Sequence, residues 1–255
     1  PIFYGFKPSR GMIPNDGLAL LEESLDCIGP LTTSIEGLAA AFGILSGQGR
    51  RLGSTSDTGR GKPLRVGILG VFDTMPLEGS VATAWARVRD GMSDSFEFDR
   101  IPLECFDASR LRRACLIVIE YALARELGVA QRTHISPELE AMVAYGERVT
   151  SEQLADANDY LDAIRQGGAQ MFDTVDCIVS PVAPVPPFPF EWPAPPGLAD
   201  FMGLANVLGL PAVSLPAGLS TDGLPIGIQI MGKASQDVEL LSAASKIDKW
   251  IVKQR

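Results

Sequence analysis

The sequence predicts an α/β fold in which helices cover a mostly buried sheet. Short apolar runs of strand length alternate with longer amphipathic segments along the 255 residues. Apolar residues make up 46% of the chain and charged residues 21%, which is the normal composition of a globular protein with a substantial core. At 255 residues the chain could form one large domain or two ordinary ones, and we find no internal repeat and no clear linker.

The first part of the chain is predicted to alternate between helix and strand. After an irregular opening, Thr33 and Glu36 have the spacing of a capping box at the start of a helix, and Gly47 would end that helix. The elements predicted after it are a loop rich in Gly, Ser and Arg (47–62), a strand (64–71), a helix from near Ser80 and a strand (96–103).

The middle of the chain is predicted to be helical, and the last part returns to sheet. Ser136 and Pro137 are typical of a helix start, and Asp222-Gly223 between two apolar runs indicates a hairpin-like turn. The predicted elements are helices at 109–127 (ended by Gly128), from 137 and at 151–172, a strand at 177–182, a proline-rich stretch to Pro196, a helix at 198–208, strands at 212–215 and 226–231, and a helix at 237–253.

Charge and cysteine usage narrow the classes of function. A net charge of −9 argues against a nucleic-acid partner and against attachment to an anionic membrane, since both surfaces are negatively charged. The longest apolar run covers only residues 114–119, far too few to span a bilayer. Four widely spaced cysteines without a C-x-x-C pair suit a reducing cytoplasm.

The familiar catalytic and cofactor motifs are missing from the sequence. His134 is the only histidine and lies among polar residues just before a helix start, so we interpret it as a surface residue; a triad or a metal site would need other residues to help it. Gly61-Lys62 lacks the earlier glycine of a phosphate-binding loop, and we predict neither a cofactor nor a metal. Asp26 lies between apolar residues before a turn, where we expect it to be partly buried and hydrogen-bonded to the backbone.

Several segments together resemble the amidase signature family. Each is short, but they occur in the family's order and span nearly the whole chain. The matches are residues 4–11 (YGFKPSRG) to "GLKPTxG", 24–31 (SLDCIGPL) to "SLDxxGPM", 64–68 (LRVGI) to "LRIGV", 176–184 (DCIVSPVAP) to "DVLLTPTAP", 205–218 (ANVLGLPAVSLPAG) to "ANLAGLPAISVPAG" and 222–232 (DGLPIGIQIMG) to "DGLPVGLQLIG".

This resemblance implies a single domain with α/β/α layers around a long mixed β-sheet, of which residues 1–255 would be the C-terminal part. The family cleaves amide bonds with a serine nucleophile, a bridging serine and a lysine, through an acyl-enzyme. All three precede the "GLKPT" segment, so the resemblance implies no catalytic residue in this chain, and Lys7 is interpreted as structural. We therefore expect the chain alone to be inactive. We also expect it to form a homo-oligomer or to associate with a missing N-terminal portion.

The resemblance also suggests which residues line the substrate pocket. The proline-rich segment 181–197 would wall the acyl pocket, with Phe188, Phe190 and Trp192 shaping it, although these rings could instead cover core. Asn206 would either make a structural hydrogen bond or face the substrate. Asp200 is a candidate at the pocket rim. An aspartate lies nearby in the glutamine-using amidotransferases of the family, one position away in our alignment.

Three functions follow from the resemblance. The first is hydrolysis of a small-molecule carboxylic amide to an acid and ammonia or an amine, with the nucleophile upstream of the chain. The second is a non-catalytic relative that only binds a ligand or a partner. The third is transamidation, as one component of a glutamine-dependent tRNA amidotransferase complex. The residues upstream of Pro1 would distinguish the first two, and co-purifying partner chains would favour the third.

Overall fold

The computed structural model describes residues 3–19, 21–49, 63–127, 134–195 and 197–254. Within them, a mixed sheet of seven strands lies between two helical layers, which confirms the predicted α/β/α fold. The strands are β1 (Tyr4–Lys7), β2 (Leu31–Thr32), β3 (Arg65–Leu69), β4 (Glu97–Ile101), β5 (Cys177–Pro181), β6 (Ala212–Leu219) and β7 (Pro225–Gly232). The helices are α1 (Ile35–Leu45), α2 (Gly79–Ser95), α3 (Ala108–Glu126), α4 (Pro137–Gly146), α5 (Ser151–Gly167), α6 (Gly203–Val207) and α7 (Asp237–Lys253).

The strand order in the sheet is β2-β1-β6-β7-β5-β3-β4. The pairs β3–β4 and β3–β5 are parallel, and the other neighbours are antiparallel. The predicted hairpin joins β6 to β7, and its turn closes through hydrogen bonds at Ser220, including one from the amide of Gly223 to the Ser220 carbonyl (3.0 Å). None of the described helices is long and apolar enough to cross a membrane.

Helices α1, α2 and α7 cover one face of the sheet. They pack on alternate residues of the strands, such as Phe6 of β1, Val213 of β6 and Ile230 of β7, all almost fully buried. The period-two alternation places the residues between these on the opposite face. Helix α7 buries Leu240, Ala244 and seven other residues, which explains why its apolar spacing predicted its bounds correctly.

Helices α3, α5 and α6 lie over the opposite face, and α4 packs on α3. They cover mainly the part of the sheet around β3, β5 and β7, where Ile178 and Met231 are buried. At the other end, beside β1 and β6, this face is open to a cleft. This helical layer therefore covers only part of its face of the sheet and leaves a depression beside β1 and β6.

The opening of the chain is not irregular, as the sequence had suggested. It contributes β1 and β2, because residues 4–7 pair with β6, whose residues follow more than two hundred positions later. The cap of α1 was also placed one residue early. Ser34 caps this helix by accepting a hydrogen bond from the amide of Gly37 (3.1 Å), while Thr32 donates to the Ser34 carbonyl.

The predicted helix at 198–208 is much shorter in the structure. Consecutive turns occupy residues 197–202, with i→i+3 hydrogen bonds such as Asp200 N to Gly197 O (2.9 Å), and regular helix begins only at Gly203. The long helix predicted at 151–172 divides into α5 and a 3-10 turn (Gly168–Gln170). Most of the predicted loop 47–62 and the helix-ending Gly128 lie outside the described residues.

Candidate active-site cleft

A row of small and polar residues crosses four strands on the open face of the sheet. The strand register aligns Gly5 of β1 with Ser214 of β6, Ser214 with Gln229 of β7, and Gln229 with Ser180 of β5. The amide of Gly5 donates to Ser214 Oγ (3.0 Å), and Gln229 Nε2 donates to Ser180 Oγ (2.9 Å) and to the carbonyl of Phe201. These bonds fix the floor of the cleft.

The inner cleft lies directly above this row and has a volume of about 320 Å³. Strand β1, the segment before β2, and α6 surround it. Most of its lining is apolar or backbone, with Lys7, Cys27, Asn206, Ser214 and Gln229 as the polar contributors. A mostly apolar cleft with a few convergent polar groups is typical of a small-molecule site.

An outer cleft of about 400 Å³ continues from the inner one and shares Val182 and Ser214 with it. Its wall is the segment that follows β5, including Val185, Pro186 and Pro187. Prolines restrict the backbone, so this wall is stiff without regular secondary structure. Ser214 contributes the polar side chain to this otherwise apolar lining, and the outer cleft could hold the apolar part of a ligand.

Lys7 is the charged side chain of the inner cleft. It lies at the end of β1 on the face opposite Phe6, and its Nζ donates to the carbonyl of Pro8 (2.9 Å). Burial lowers the pKa of Lys7 from its ordinary value, and the neighbouring Arg10 lowers it further. Cys27 Sγ approaches the same Pro8 carbonyl (3.5 Å), and burial raises the pKa of this thiol.

Buried hydrogen bonds hold the loop after β1 in place. Asp237, at the start of α7, accepts from the amide of Ser9 (2.8 Å) and from Ser9 Oγ (2.6 Å). Arg10 extends in the other direction and donates to the carbonyls of Asn206 (2.8 Å) and Val207 (3.3 Å) at the end of α6. The loop that positions Lys7 is thus tied to both helical layers.

Two of the residues proposed for the pocket line the clefts. Asn206 lines the inner cleft, and its Nδ2 also donates to the carbonyl of Leu25 (2.8 Å), so it joins α6 to the segment before β2. Phe188 lines the outer cleft. The predicted backbone role of Asp26 is confirmed, since its Oδ2 accepts from the amides of Leu21 (2.6 Å) and Glu22 (3.1 Å).

The other three proposed pocket residues lie elsewhere. Asp200 is mostly buried, and its Oδ1 accepts from Arg112 Nε of α3 (2.6 Å), so this ion pair holds its carboxylate against the helical layer. Trp192 is largely exposed and Phe190 is fully exposed, and neither borders the two clefts. The described residues contain no group of three or more metal-binding side chains.

The sequence analysis did not propose Ser214 or Gln229 for the cleft and interpreted Lys7 as structural. A signal was present in β6 and β7, where Ser214 and Gln229 are the polar residues that interrupt apolar runs. Without the strand pairing, however, nothing in the sequence shows that these positions share a face with residue 7.

Known proteins resemble this chain over almost its whole length. The family model named Amidase matches residues 2–241, almost the whole chain. The chain belongs to the amidase signature family. Among curated relatives, the amidase-signature chain is 28% identical to the 2-amino-5-chloromuconic acid deaminase of Comamonas testosteroni over 97% of its own length and 56% of that protein. It is 29% identical to a glutamyl-tRNA(Gln) amidotransferase chain of Synechococcus sp. (strain RCC307), over 94% of its own length and 58% of that relative.

Solved structures of the family share the fold. A crystal structure of an amidase matches 97% of this amidase-signature chain with a TM-score of 0.85 at 22% identity, and 58% of that protein is covered. A bacterial aryl acylamidase of the amidase signature family matches with a TM-score of 0.76 at 19% identity over 97% of this chain and 58% of its own. The chain thus spans little more than half the length of these relatives.

Proposed function

We propose that the natural protein containing these residues hydrolyses the amide bond of a small molecule to an acid and ammonia or an amine. The observation that carries this proposal is the cleft on the open sheet face, beside residues 4–11, in a chain of the amidase signature family. Its apolar walls and its few polar groups suit binding of a small amide. The amidase relatives support hydrolysis of carbon–nitrogen bonds at the level of the family.

In this proposal the described residues bind and orient the substrate, and the attacking serine comes from polypeptide outside them. Two of the buried serines have structural partners instead. Ser9 donates to Asp237, and Ser180 donates to the carbonyl of Pro181 (2.9 Å) while accepting from Gln229. The acyl-enzyme would form on the external serine, and water would then release the acid. The four free cysteines support a reducing, cytoplasmic setting for the enzyme.

Transamidation is not favoured as a second function. The residue that suggested it, Asp200, has its carboxylate engaged by Arg112. A role in binding alone is likewise not supported by any specific contact in the structure.

Comparing two purified proteins tests the proposal: the natural polypeptide and residues 1–255 alone. We expect the natural polypeptide to release ammonia or amine from simple aliphatic and aromatic amides, and a serine-directed phosphonate to abolish this turnover. We expect residues 1–255 to show none, because Ser214 and Ser180 at the cleft are hydrogen-bonded to backbone and to Gln229 rather than to a basic side chain. Phosphonate-sensitive turnover by residues 1–255 would refute the external nucleophile, and a natural polypeptide inactive on all amides would refute the hydrolase.

A further inference from the structure

The two clefts contain one charged side chain among all the described residues that line them, and it is Lys7. Its neighbours in the inner cleft are neutral: Cys27, Asn206, Ser214 and Gln229 supply a thiol, two amides and a hydroxyl. Lys7 Nζ is therefore the main source of positive electrostatic potential in the cleft. The low dielectric of a mostly apolar site strengthens its attraction for an anion.

The described residues do not neutralise this ammonium. No carboxylate of the described chain lies within ion-pair distance of Lys7 Nζ, and the Pro8 carbonyl accepts one of its three N–H groups. Asp237, the carboxylate whose charge affects the pKa of Lys7, has both oxygens engaged by Ser9. Cys27 is a neutral thiol at neutral pH, because burial raises its pKa.

A partly buried ammonium without a counter-ion is costly, and a ligand that brings a negative charge removes that cost. The neighbouring Arg10 lines neither cleft, and its Nη2 donates to the carbonyls of Asn206 and Val207. Lys7 is therefore the cation of the cleft that is available to an anion. Its position at the end of β1 is fixed by the loop that Ser9 and Asp237 anchor.

We propose that Lys7 binds a carboxylate of the substrate, so that the protein acts on amides that also carry an acid group in preference to neutral amides. Lys7 Nζ would donate its remaining N–H groups to that carboxylate, and the apolar linker between acid and amide would lie along the cleft. The substrate class is then the monoamide of a dicarboxylic acid. This inference rests on the proposed amide hydrolysis.

Matched substrates test the preference in the natural protein. The monoamides of dicarboxylic acids from malonate to adipate are compared with the corresponding diamides, which replace the carboxylate by a neutral group of the same shape. We expect Lys7→Met to raise KM for the best monoamide by about 10- to 100-fold, the loss typical of a charge-assisted hydrogen bond, and to leave KM for its diamide unchanged. Lys7→Arg should retain much of the preference, and the exposed Lys249→Met is the matched control for loss of one charge.

The role of Lys7 can also be tested by a binding measurement that requires no amide hydrolysis. The dicarboxylates themselves are titrated calorimetrically into the natural protein, Lys7→Met, Lys7→Gln and Lys249→Met, after thermal melting has verified that each is folded. Weaker dicarboxylate binding in the two Lys7 variants, but not in Lys249→Met, supports Lys7 as the carboxylate-binding residue. This holds even if no amide is hydrolysed, and then only the proposed function fails. Equal effects on monoamide and diamide, or dicarboxylate affinity independent of Lys7, would overturn it.

Discussion

Lys7 is a residue whose protonation controls what the cleft can bind. Burial is the main reason that its pKa lies below the ordinary lysine value, and Arg10 lowers it further while Cys27 and Asp237 raise it. A bound carboxylate favours the ammonium form, so binding is strongest below the pKa of Lys7 and is lost as the pH rises through it.

We therefore expect the affinity of the natural protein for a dicarboxylate to fall between neutral pH and the ordinary lysine pKa of about 10.4. Calorimetric titrations across this range measure the effect. The Lys7→Arg variant is the control, because arginine keeps its charge throughout the range. An affinity that falls equally in both proteins would show that another group is responsible.

Cys115 gives a second, separate pH dependence. Burial on α3 raises its pKa from 9.0 to about 11, so folding favours the neutral thiol. The contribution to stability is fully present below pH 9 and is lost as the pH rises from there towards 11, because the unfolded chain gives up its proton first.

For this partly exposed thiol we expect a loss of about 1–2 kcal/mol in the free energy of unfolding over that pH interval. Cys115→Ala should remove this part of the pH dependence, although it also lowers stability at every pH by deleting buried atoms. Urea unfolding at a series of pH values separates the two effects. Parallel pH profiles for wild type and variant would contradict the assignment.

Among single residues, sequence reasoning succeeded where the determinants are local. Asp26 was correctly expected to bind backbone, because its partners, the amides of Leu21 and Glu22, lie within five positions. Lys7 was interpreted as structural from its position in the family motif, which does not show which way its side chain points. That direction depends on the pairing of β1 with β6.

At the scale of elements, the close packing of α4 on α3 depends on one glycine. A Cβ atom on Gly146 would lie 1.9 Å from the carbonyl oxygen of Glu120, which is backbone and cannot move without shifting α3. We expect Gly146→Ala to destabilise the protein by about 1–3 kcal/mol, the range typical of overpacking. Urea denaturation measures this loss. Gly79→Ala at the start of α2 is the control, since no heavy atom lies within 4 Å of its added Cβ.

The elements that sequence predicted well are those with a strong internal pattern. Helix α7 matches its predicted bounds because its apolar spacing is regular, and the β6–β7 hairpin follows from its local turn. Strands β1 and β2 were missed because their hydrogen-bond partners are remote. Helix α6 was predicted too long, since residues 197–202 form i→i+3 turns that helical periodicity resembles. The floor of the cleft depends on such remote pairing, so its residues were the least predictable.

At the scale of the whole molecule, the open side of the sheet leaves apolar surface uncovered. Leu31 of the edge strand β2 is 75% exposed at the border of the inner cleft, and Phe3 at the outer cleft is also exposed. An unpaired strand edge beside apolar side chains favours association with another chain. The relatives are longer than this chain, which covers 56% and 58% of two of them.

We expect residues 1–255, purified alone, to self-associate through this surface. Multi-angle light scattering across a concentration series should show a mass above 27.2 kDa that decreases on dilution. Leu31→Lys should shift the population towards monomer, because a charge on an edge strand opposes edge-to-edge pairing. Ile44→Lys is the matched control. Ile44 is similarly exposed (69%), but it belongs to α1, which covers the opposite face of the sheet. A mass of one chain at every concentration, or equal effects of both variants, would show that the open sheet face is not an association surface.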